Sequence, residues 1–379
     1  MDGGNIVSTF TARRIALGTL RSLAFAVTQR ATLLSGALTV VALSDSLLWW
    51  FEWARNMHHA YLVLAALSCP VLFALRSRFW AVIASGTVLV NAWIVLPAYV
   101  PPPNRSARDS PPAFRLLTAN VFYDNFRHHA LLDLVRETEP DILCVQEFSA
   151  PWDSIIPELK EHLPYCSLDV PDPDAKDTWA GDRMVFSRHK ARVTKNYILD
   201  DNSYFSVLKM ETFLDGRWVS VMSCHTTPVN NDQCRQTSQR EFVRLAQIAR
   251  DEPRPLIMAG DFNQTLWAPR FRQFETGSGL ITARRGEGVL TTYPIVFDWF
   301  GLPIDHILVS PDIEISRCWV GPDIGSDHRP MLIDFSLKPS TGMKTASLRN
   351  GLEKYASRMV EWQPVGGSNP CDGTENPAS

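Results

Sequence analysis

The chain has 379 residues, 45% of them hydrophobic and 20% charged, enough for one large core or two modest domains. Its net charge of −3 averages unlike parts: an apolar, tryptophan-rich stretch before about residue 100 and a soluble-looking remainder. Between residues 114 and 338 there are 24 Lys and Arg against 32 Asp and Glu, an acid excess that leaves no broad basic footprint for nucleic acid and argues against a tight, processive nuclease.

Residues 1–30 carry Arg13, Arg14, Arg21 and Arg30 and read as a basic cytoplasmic segment. Residues 31–100 read as a transmembrane region of about three helices, with apolar runs at 32–50, 60–75 and 79–100. Each run approaches the about 20 residues that a bilayer-spanning helix needs. Trp49, Trp50, Trp53, Trp80 and Trp93 lie near their ends or within them, as interfacial aromatic belts do. A buried helix of a soluble core is the plainer alternative, and no small-residue cleavage pattern points to a signal peptide. Arg76 and Arg78 mark the turn between the second and third runs as cytoplasmic. Three crossings then place the rest of the chain outside, as an integral protein of an inner or plasma membrane whose first partner is the lipid bilayer. Asp45 in the first run is read as an interfacial residue.

Residues 101–113, with Pro101, Pro102, Pro103, Pro111 and Pro112, read as an extended linker. Residues 114–338 alternate short β-rich runs with helical ones. Strands are predicted at 114–119, 142–146, 184–187, 206–210, 218–224, 256–259, 304–309 and 331–335, and helices at 127–139, 152–163 and 233–250. In the last helix Phe242, Leu245, Ala246 and Ala249 fall at helical spacing. Such a mixture demands helices covering sheet faces. Residues 339–379 read as a mostly disordered tail. Six of the seven cysteines follow the apolar runs, and an even number in an oxidising compartment permits disulfides. Cys144 and Cys224 sit in strand-like runs and read as buried thiols.

Metal-competent and polar residues gather at the ends of these apolar strands: Asn120, Gln146-Glu147, His225, Gly260-Asp261-Phe262-Asn263, Asp305-His306 and Gly325-Ser326-Asp327-His328. One carboxylate ending a strand is commonly a solvated turn residue. Six such clusters in one domain point to a binding site, because strand ends are where sites form in layered α/β folds. Hydrolysis of a phosphoester requires neutralising a charged phosphoryl group, activating a water and stabilising the leaving oxygen. Hard oxygen ligands such as Glu147, with Asn120 beside it, suit Mg2+ or Mn2+. Zinc is disfavoured, since no Cys or His pair has ligand spacing.

The runs Leu117-Thr118-Ala119-Asn120, Cys144-Val145-Gln146-Glu147 after Pro140-Asp141, Gly260-Asp261-Phe262-Asn263 and Ser326-Asp327-His328 resemble the motifs of the endonuclease/exonuclease/phosphatase superfamily. That superfamily includes pancreatic deoxyribonuclease, abasic-site endonucleases, neutral sphingomyelinases and inositol polyphosphate phosphatases. The resemblance covers about 225 residues and implies a four-layer α/β/β/α sandwich, here preceded by about three transmembrane helices. It implies that Glu147 holds the metal, that Asp327 assists it, and that Asp261 orients or deprotonates the attacking water. Asn263 would hydrogen-bond the phosphoryl oxygens, His328 would be the second catalytic centre with Asp305 fixing its tautomer, and His225 would contact the phosphate or leaving group. Two features depart from the pattern. Asp182-Arg183-Met184 stands where glycine and small residues are usual, and the active-site tyrosine of the abasic endonucleases has only Tyr204 as a positional candidate.

Three functions follow. The first is a phosphodiesterase or phosphatase acting on lipid head groups at the outer membrane surface. The second is an extracytoplasmic endonuclease or exonuclease on nucleic acid. The third is a catalytically weak, membrane-tethered binding module, which loss of motif residues would mark; here all are occupied. Arg270 with Arg272 and Arg284 with Arg285 are local basic spots, and Trp267, Trp299 and Phe300 lie near the motifs. No protein partner is readable.

Overall fold

The computed structural model describes residues 3–44, 48–102, 105, 113–168, 183–201, 203, 205–294 and 301–339. The expectations for Asp45, Asp182, Tyr204, Trp299, Phe300 and the tail beyond residue 339 lie outside the described residues. The chain divides into two units, Met1–Pro97 and Ala98–Ser379.

The first unit is helical: α1 (Gly3–Leu43), α2 (Trp50–Asn56), α3 (His58–Ala74) and α4 (Arg78–Val95). Arg14–Leu43 and Arg78–Tyr99 are long and apolar enough to cross a membrane, and α2 with α3 makes a third span if that pair, bent by 57°, counts as one. The first helix thus starts well before the predicted run at 32. Ile15, Leu17, Leu20, Leu23 and Val27 intersperse the arginines and carry the helical, apolar surface upstream. Between helices, Ala81 and Ala84 pack with Leu72 and Phe25, and such small residues let helix backbones approach closely.

The second unit contains two six-stranded sheets. The first sheet draws on β1 (Phe114–Asn120), β2 (Ile142–Gln146), β3 (Tyr165–Leu168), β4 (Met184–Ser187), β11 (Ile313–Val320) and β12 (Met331–Leu337), in the order β11-β12-β1-β2-β4-β3. The second is β5 (Ala191–Ile198), β6 (Ser206–Leu214), β7 (Arg217–His225), β8 (Leu256–Asp261), β10 (Asp305–Val309) and β9 (Ile281–Thr282), in that order. One apolar face of each sheet meets the other in a shared core of Leu116, Ile142 and Val185 with Leu208, Val221, Ile257 and Ile307.

The outer faces are covered by helices. On the first sheet, α5 (His128–Thr138) and α6 (Ile156–His162) contribute Leu131, Leu132, Val135 and Leu159 to a second core. On the second, α7 (Asp232–Asp251) and α8 (Pro269–Ser278) bring Phe242, Phe271 and Phe274 around Phe262. The expected four-layer sandwich is the observed one. Local sequence fixes the helix ends: the Asn231 side chain accepts from Cys234 N at 2.8 Å to cap α7, and Gly279 closes α8 in the left-handed region at φ 70°.

All eight predicted strands exist and all are interior or paired on both sides. The four that escaped prediction, β3, β5, β9 and β11, are the four sheet edges. Edge strands are half solvated and avoid continuous apolar runs, so they lose the signal that marks a strand; β5 reads Ala-Arg-Val-Thr-Lys-Asn-Tyr-Ile. Helix α8 was likewise unforeseen. The proline-rich stretch at 101–113 is described only at Pro101, Pro102, Arg105 and Ala113, and Arg105 forms a parallel bridge with Ile315 of β11.

Candidate active site

Each sheet holds one parallel pair, β1 beside β2 and β7 beside β8, joined by the crossover helices α5 and α7. Parallel neighbours end on the same side, so register alone sets Asn120 level with Gln146, and His225 level with Asp261. Antiparallel β10 starts opposite, with Asp305 facing Asp261. The chain then returns through Gly325-Ser326-Asp327-His328 just before β12. Ser326 ties that return down, its hydroxyl donating to Asn120 O at 2.8 Å and accepting from His328 N at 3.0 Å.

Backbone geometry aims the side chains. Glu147 and Asn263 both adopt left-handed conformations, at φ 57° and 49°, turning their side chains out of the strand pattern and into the cleft. Gly260 is there for space: at φ 141° a Cβ would sit 2.0 Å from Cys224 O and 3.0 Å from Gln146 Nε2. Gln146 itself is a strut between the sheets. Fully buried, it donates to Ser223 Oγ at 2.9 Å.

The structure brings all eight candidate residues together. Asn120 Nδ2 donates to Glu147 Oε1 at 2.8 Å and lies 3.4 Å from Asp261 Oδ2, while Tyr123 N donates to Glu147 Oε2 at 3.3 Å. Asp261 Oδ1 accepts from Asn263 N at 2.8 Å. Its Oδ2 faces His225 Nε2 and His328 Nε2, each at 3.7 Å. His225 Nε2 also lies 3.9 Å from Glu147 Oε1. His328 Nδ1 pairs with Asp305 Oδ2 at 2.9 Å. The Asn263 amide donates to Thr226 O at 2.8 Å and to Asp261 Oδ2 at 3.3 Å. Asp327, partly buried like Glu147 and Asn263, accepts from the Ser326 hydroxyl at 3.5 Å.

The electrostatics follow from burial and from like charges held close. Burial first, with the charge of Asp305, lifts the Asp261 carboxyl to about 6 against the opposing histidines. Burial works against the proton on His328, yet Asp305 and Asp261 outweigh it and raise the imidazole to about 10. Asp327 is raised by burial and by the negative charge of Glu147. One oxygen or nitrogen from each of Asp261, Asp305 and His328 lies within 4.8 Å of the others, a group of metal-competent spacing. A cluster of carboxylates facing two imidazoles can hold a cation and pass a proton.

Several contributors had no sequence signal. The Tyr293 ring lies over His328 with centroids 4.7 Å apart, and burial followed by the charges of Asp327, Asp261 and Glu147 raises its hydroxyl. Phe205 packs edge-on against His225 at 4.3 Å. Buried Glu241 of α7 accepts from Thr227 N at 2.8 Å, from the Thr227 hydroxyl at 2.6 Å and from Ser203, fixing the loops beside His225. Other residues prove structural. His306 turns away to stack on Phe271 at 4.0 Å and meets Gln264 O, burial holding its pKa well below the usual range. Trp267, Arg270 and Arg284 are buried, so the two expected basic spots are not surface cradles.

The family model described as Endonuclease/Exonuclease/phosphatase family matches residues 117–328. UPF0294 protein VV2535 of Vibrio vulnificus strain YJ016 is 29% identical over 127 residues, a stretch covering 32% of this chain and 41% of that protein. UPF0294 protein VV1_1880 of strain CMCP6 matches equally. The chain therefore spans less than half the length of these curated relatives. Among solved structures, an endonuclease/exonuclease/phosphatase from Bacteroides vulgatus is similar at a TM-score of 0.49 and 18% identity, covering 59% of this chain and 99% of its own. One from Beutenbergia cavernae gives 0.49 at 16% identity, covering 61% and 73%.

Proposed function

Because the chain belongs to the endonuclease/exonuclease/phosphatase family, we propose that its second unit hydrolyses a phosphoester, with Mg2+ or Mn2+ held by Glu147 and supported by Asn120 and Asp327. The observation that carries this reading is the meeting of Asn120, Glu147, His225, Asp261 and His328 from the ends of two separate sheets, within 3.9 Å contacts of one another. A packed core gains nothing from such crowding of carboxylates.

The donors suit a hard cation, since Glu147 presents a carboxylate already oriented by Asn120 and the Tyr123 amide. A divalent ion there would neutralise phosphoryl oxygens and the leaving group. The Asp261, Asp305 and His328 group is oxygen-rich too, but His328 Nδ1 is committed to Asp305, and we assign these three to proton handling. Asp261 Oδ1 is fixed by Asn263 N, leaving Oδ2 to orient the attacking water and accept its proton. His328 Nε2 faces that oxygen and His225 flanks it, so either imidazole can steady charge on the phosphoryl group. Of the two Asn263 amide contacts, the longer one to Asp261 is the one a phosphoryl oxygen would displace.

The reading extends to place and substrate class: a membrane-anchored, extracytoplasmic enzyme acting on a phospholipid head group. Support comes from two to three helices of spanning length and from arginines at 13, 14, 21, 30, 76 and 78. Support also comes from the loop after Asn120, where Tyr123 is exposed and Phe126 is 80% exposed beside the cleft. Cleavage of nucleic acid is the second reading, since the same aromatic loop suits base stacking.

The test uses the full chain in detergent, with Mg2+, Mn2+ or a chelator, on bis-p-nitrophenyl phosphate, plasmid DNA and phospholipid vesicles. Metal-dependent turnover that Asp261→Ala abolishes supports hydrolysis, and the preferred substrate chooses between lipid and nucleic acid. A folded protein with no turnover on any of them sinks the reading in favour of a binding module.

A further inference from the structure

The stretch from Ala283 to Leu290 lies between β9 and β10. Arg284 within it is fully buried, and among the described residues it makes no salt bridge. A buried guanidinium without a carboxylate partner is costly and persists where its hydrogen bonds are needed. Its bonds converge on the surroundings of His328. One arm donates to the main-chain oxygen of Asp305, whose carboxylate holds His328 Nδ1. The same nitrogen reaches Met331 Sδ at 2.8 Å, three residues beyond His328 in the chain. The other arm donates to Leu290 O at 3.0 Å, just ahead of Thr292 and Tyr293, the latter covering His328. Arg284 therefore bonds to three separate segments that surround one imidazole.

This loop is held in turn by the residues that begin the second unit. Gly286 N and Gly288 N both donate to Ala98 O, at 2.8 and 3.1 Å. Both glycines are in the left-handed region, at φ 90° and 80°, and both are crowded. A Cβ on Gly286 would lie 2.9 Å from Pro101 Cα, and one on Gly288 would lie 2.7 Å from the Tyr99 ring. Arg105 donates to Ala283 O at 3.0 Å, ion-pairs with Glu287 and bridges Ile315 at the sheet edge. Two glycines without room for a side chain and a charged pair make a fitted contact, where the composition alone reads as a free spacer.

We propose that Arg284 is a positioning residue for the Asp305–His328 pair, and that Ala98–Pro102 with Arg105 forms a brace holding the Arg284 loop in its working place. The turnover part of this inference rests on the hydrolase reading. Its physical content, the brace acting on the ground beneath Asp305, does not.

The experiment compares full-length wild type with Arg105→Glu, Glu287→Arg, the double charge swap, Arg284→Lys and Arg284→Gln. Two readouts are taken: kcat and KM on bis-p-nitrophenyl phosphate with Mg2+, and hydrogen–deuterium exchange of peptides spanning residues 283–290 and 305–309. Each single swap is expected to lower kcat about tenfold with KM unchanged, the scale of a small displacement of catalytic groups. Each is also expected to speed exchange in both peptides, and the double swap to restore both. Arg284→Lys should keep more activity than Arg284→Gln, which loses about 10- to 100-fold as an outer orienting group does. If Arg284→Gln fails to fold, the swaps still decide. Faster exchange confined to 283–290, a change in KM alone, or a double swap no better than the singles overturns the proposal. Absence of turnover in wild type sinks the hydrolase reading, and the exchange rates then decide whether the brace exists.

Discussion

Both units bury polar groups, and they use them in opposite ways. In the helical unit several buried polar groups pair off: Asn91 donates to Thr39 Oγ1 at 2.8 Å and meets His58 Nδ1 at 2.7 Å, linking α4 to α1 and α3. Ser68, Ser85 and Thr87 return their hydroxyls to carbonyls four residues back in their own helices. In the second unit the carboxylates of Glu147, Asp261, Asp305 and Asp327 crowd one cleft, and burial first, then the neighbouring negative charges, raise Asp261 and Asp327. Polar groups that satisfy one another hold a structure together. Polar groups held against their own electrostatic preference are maintained for chemistry.

That contrast can be broken by substitution. If the cleft is held for chemistry, Asp261→Asn lowers kcat by about 100- to 10,000-fold, the range for loss of a general acid or base. The melting temperature should stay unchanged or rise, because a desolvated carboxylate has been neutralised. Parallel loss of activity and stability would instead place Asp261 among the structural groups. Gly260→Ala is the converse probe, since its methyl has no space against Cys224 O. About 3 kcal/mol of destabilisation is expected from overpacking at a positive φ, read as a lower denaturation midpoint. A wild-type midpoint would mean that β7 and β8 separate more easily than their register suggests.

Glu241 tests the boundary between the two kinds of polar group. It is buried and its pKa is raised by desolvation, but three donors converge on it and it touches none of the reacting positions. Removing it in Glu241→Ala strands those donors and should cost about 1 to 3 kcal/mol. With its folded pKa above the unfolded value, its contribution is present at low pH and declines as pH rises through the folded pKa. Denaturation midpoints of wild type and Glu241→Gln, followed upward from pH 4, should show the wild type losing stability relative to the variant as pH rises. Identical pH slopes in the two proteins would show that Glu241 does not titrate on folding.

Much of this was legible because the signals were local. Strands buried on both faces, such as Ile142–Gln146, are continuous apolar runs; Asn120, Glu147 and Asp261 sit where such a run stops, and His328 just before one begins. What escaped was set by distant partners. Tyr293 gains its place over His328 only after the chain returns to β12, and Glu241 matters because α7 lies beside the loops at Ser203 and Thr227. The stretch 101–113 reads as a spacer by composition, and only the fold shows Pro101 meeting Gly286 and Arg105 meeting Glu287. The edge strands escaped for the opposite reason: their half-solvated surfaces require the polar residues that disguise them.

The smallest effect belongs to the helical unit, and it is the one that separates the two units most cleanly. Asn91 is fully buried and spends its amide on Thr39 Oγ1 and Thr87 O and its carbonyl oxygen on His58. On the membrane-anchored reading proposed above, its replacement by leucine keeps the volume and loses the bonds, yet the cost is limited to about 0.6 to 1.7 kcal/mol because freed polar groups find other partners among their own helices. Asn91→Leu should therefore lower the detergent melting temperature slightly and leave kcat and KM on a soluble phosphodiester unchanged. A substantial loss of turnover would overturn the division drawn above, because a polar group that pairs off to hold helices together would then also be serving the cleft.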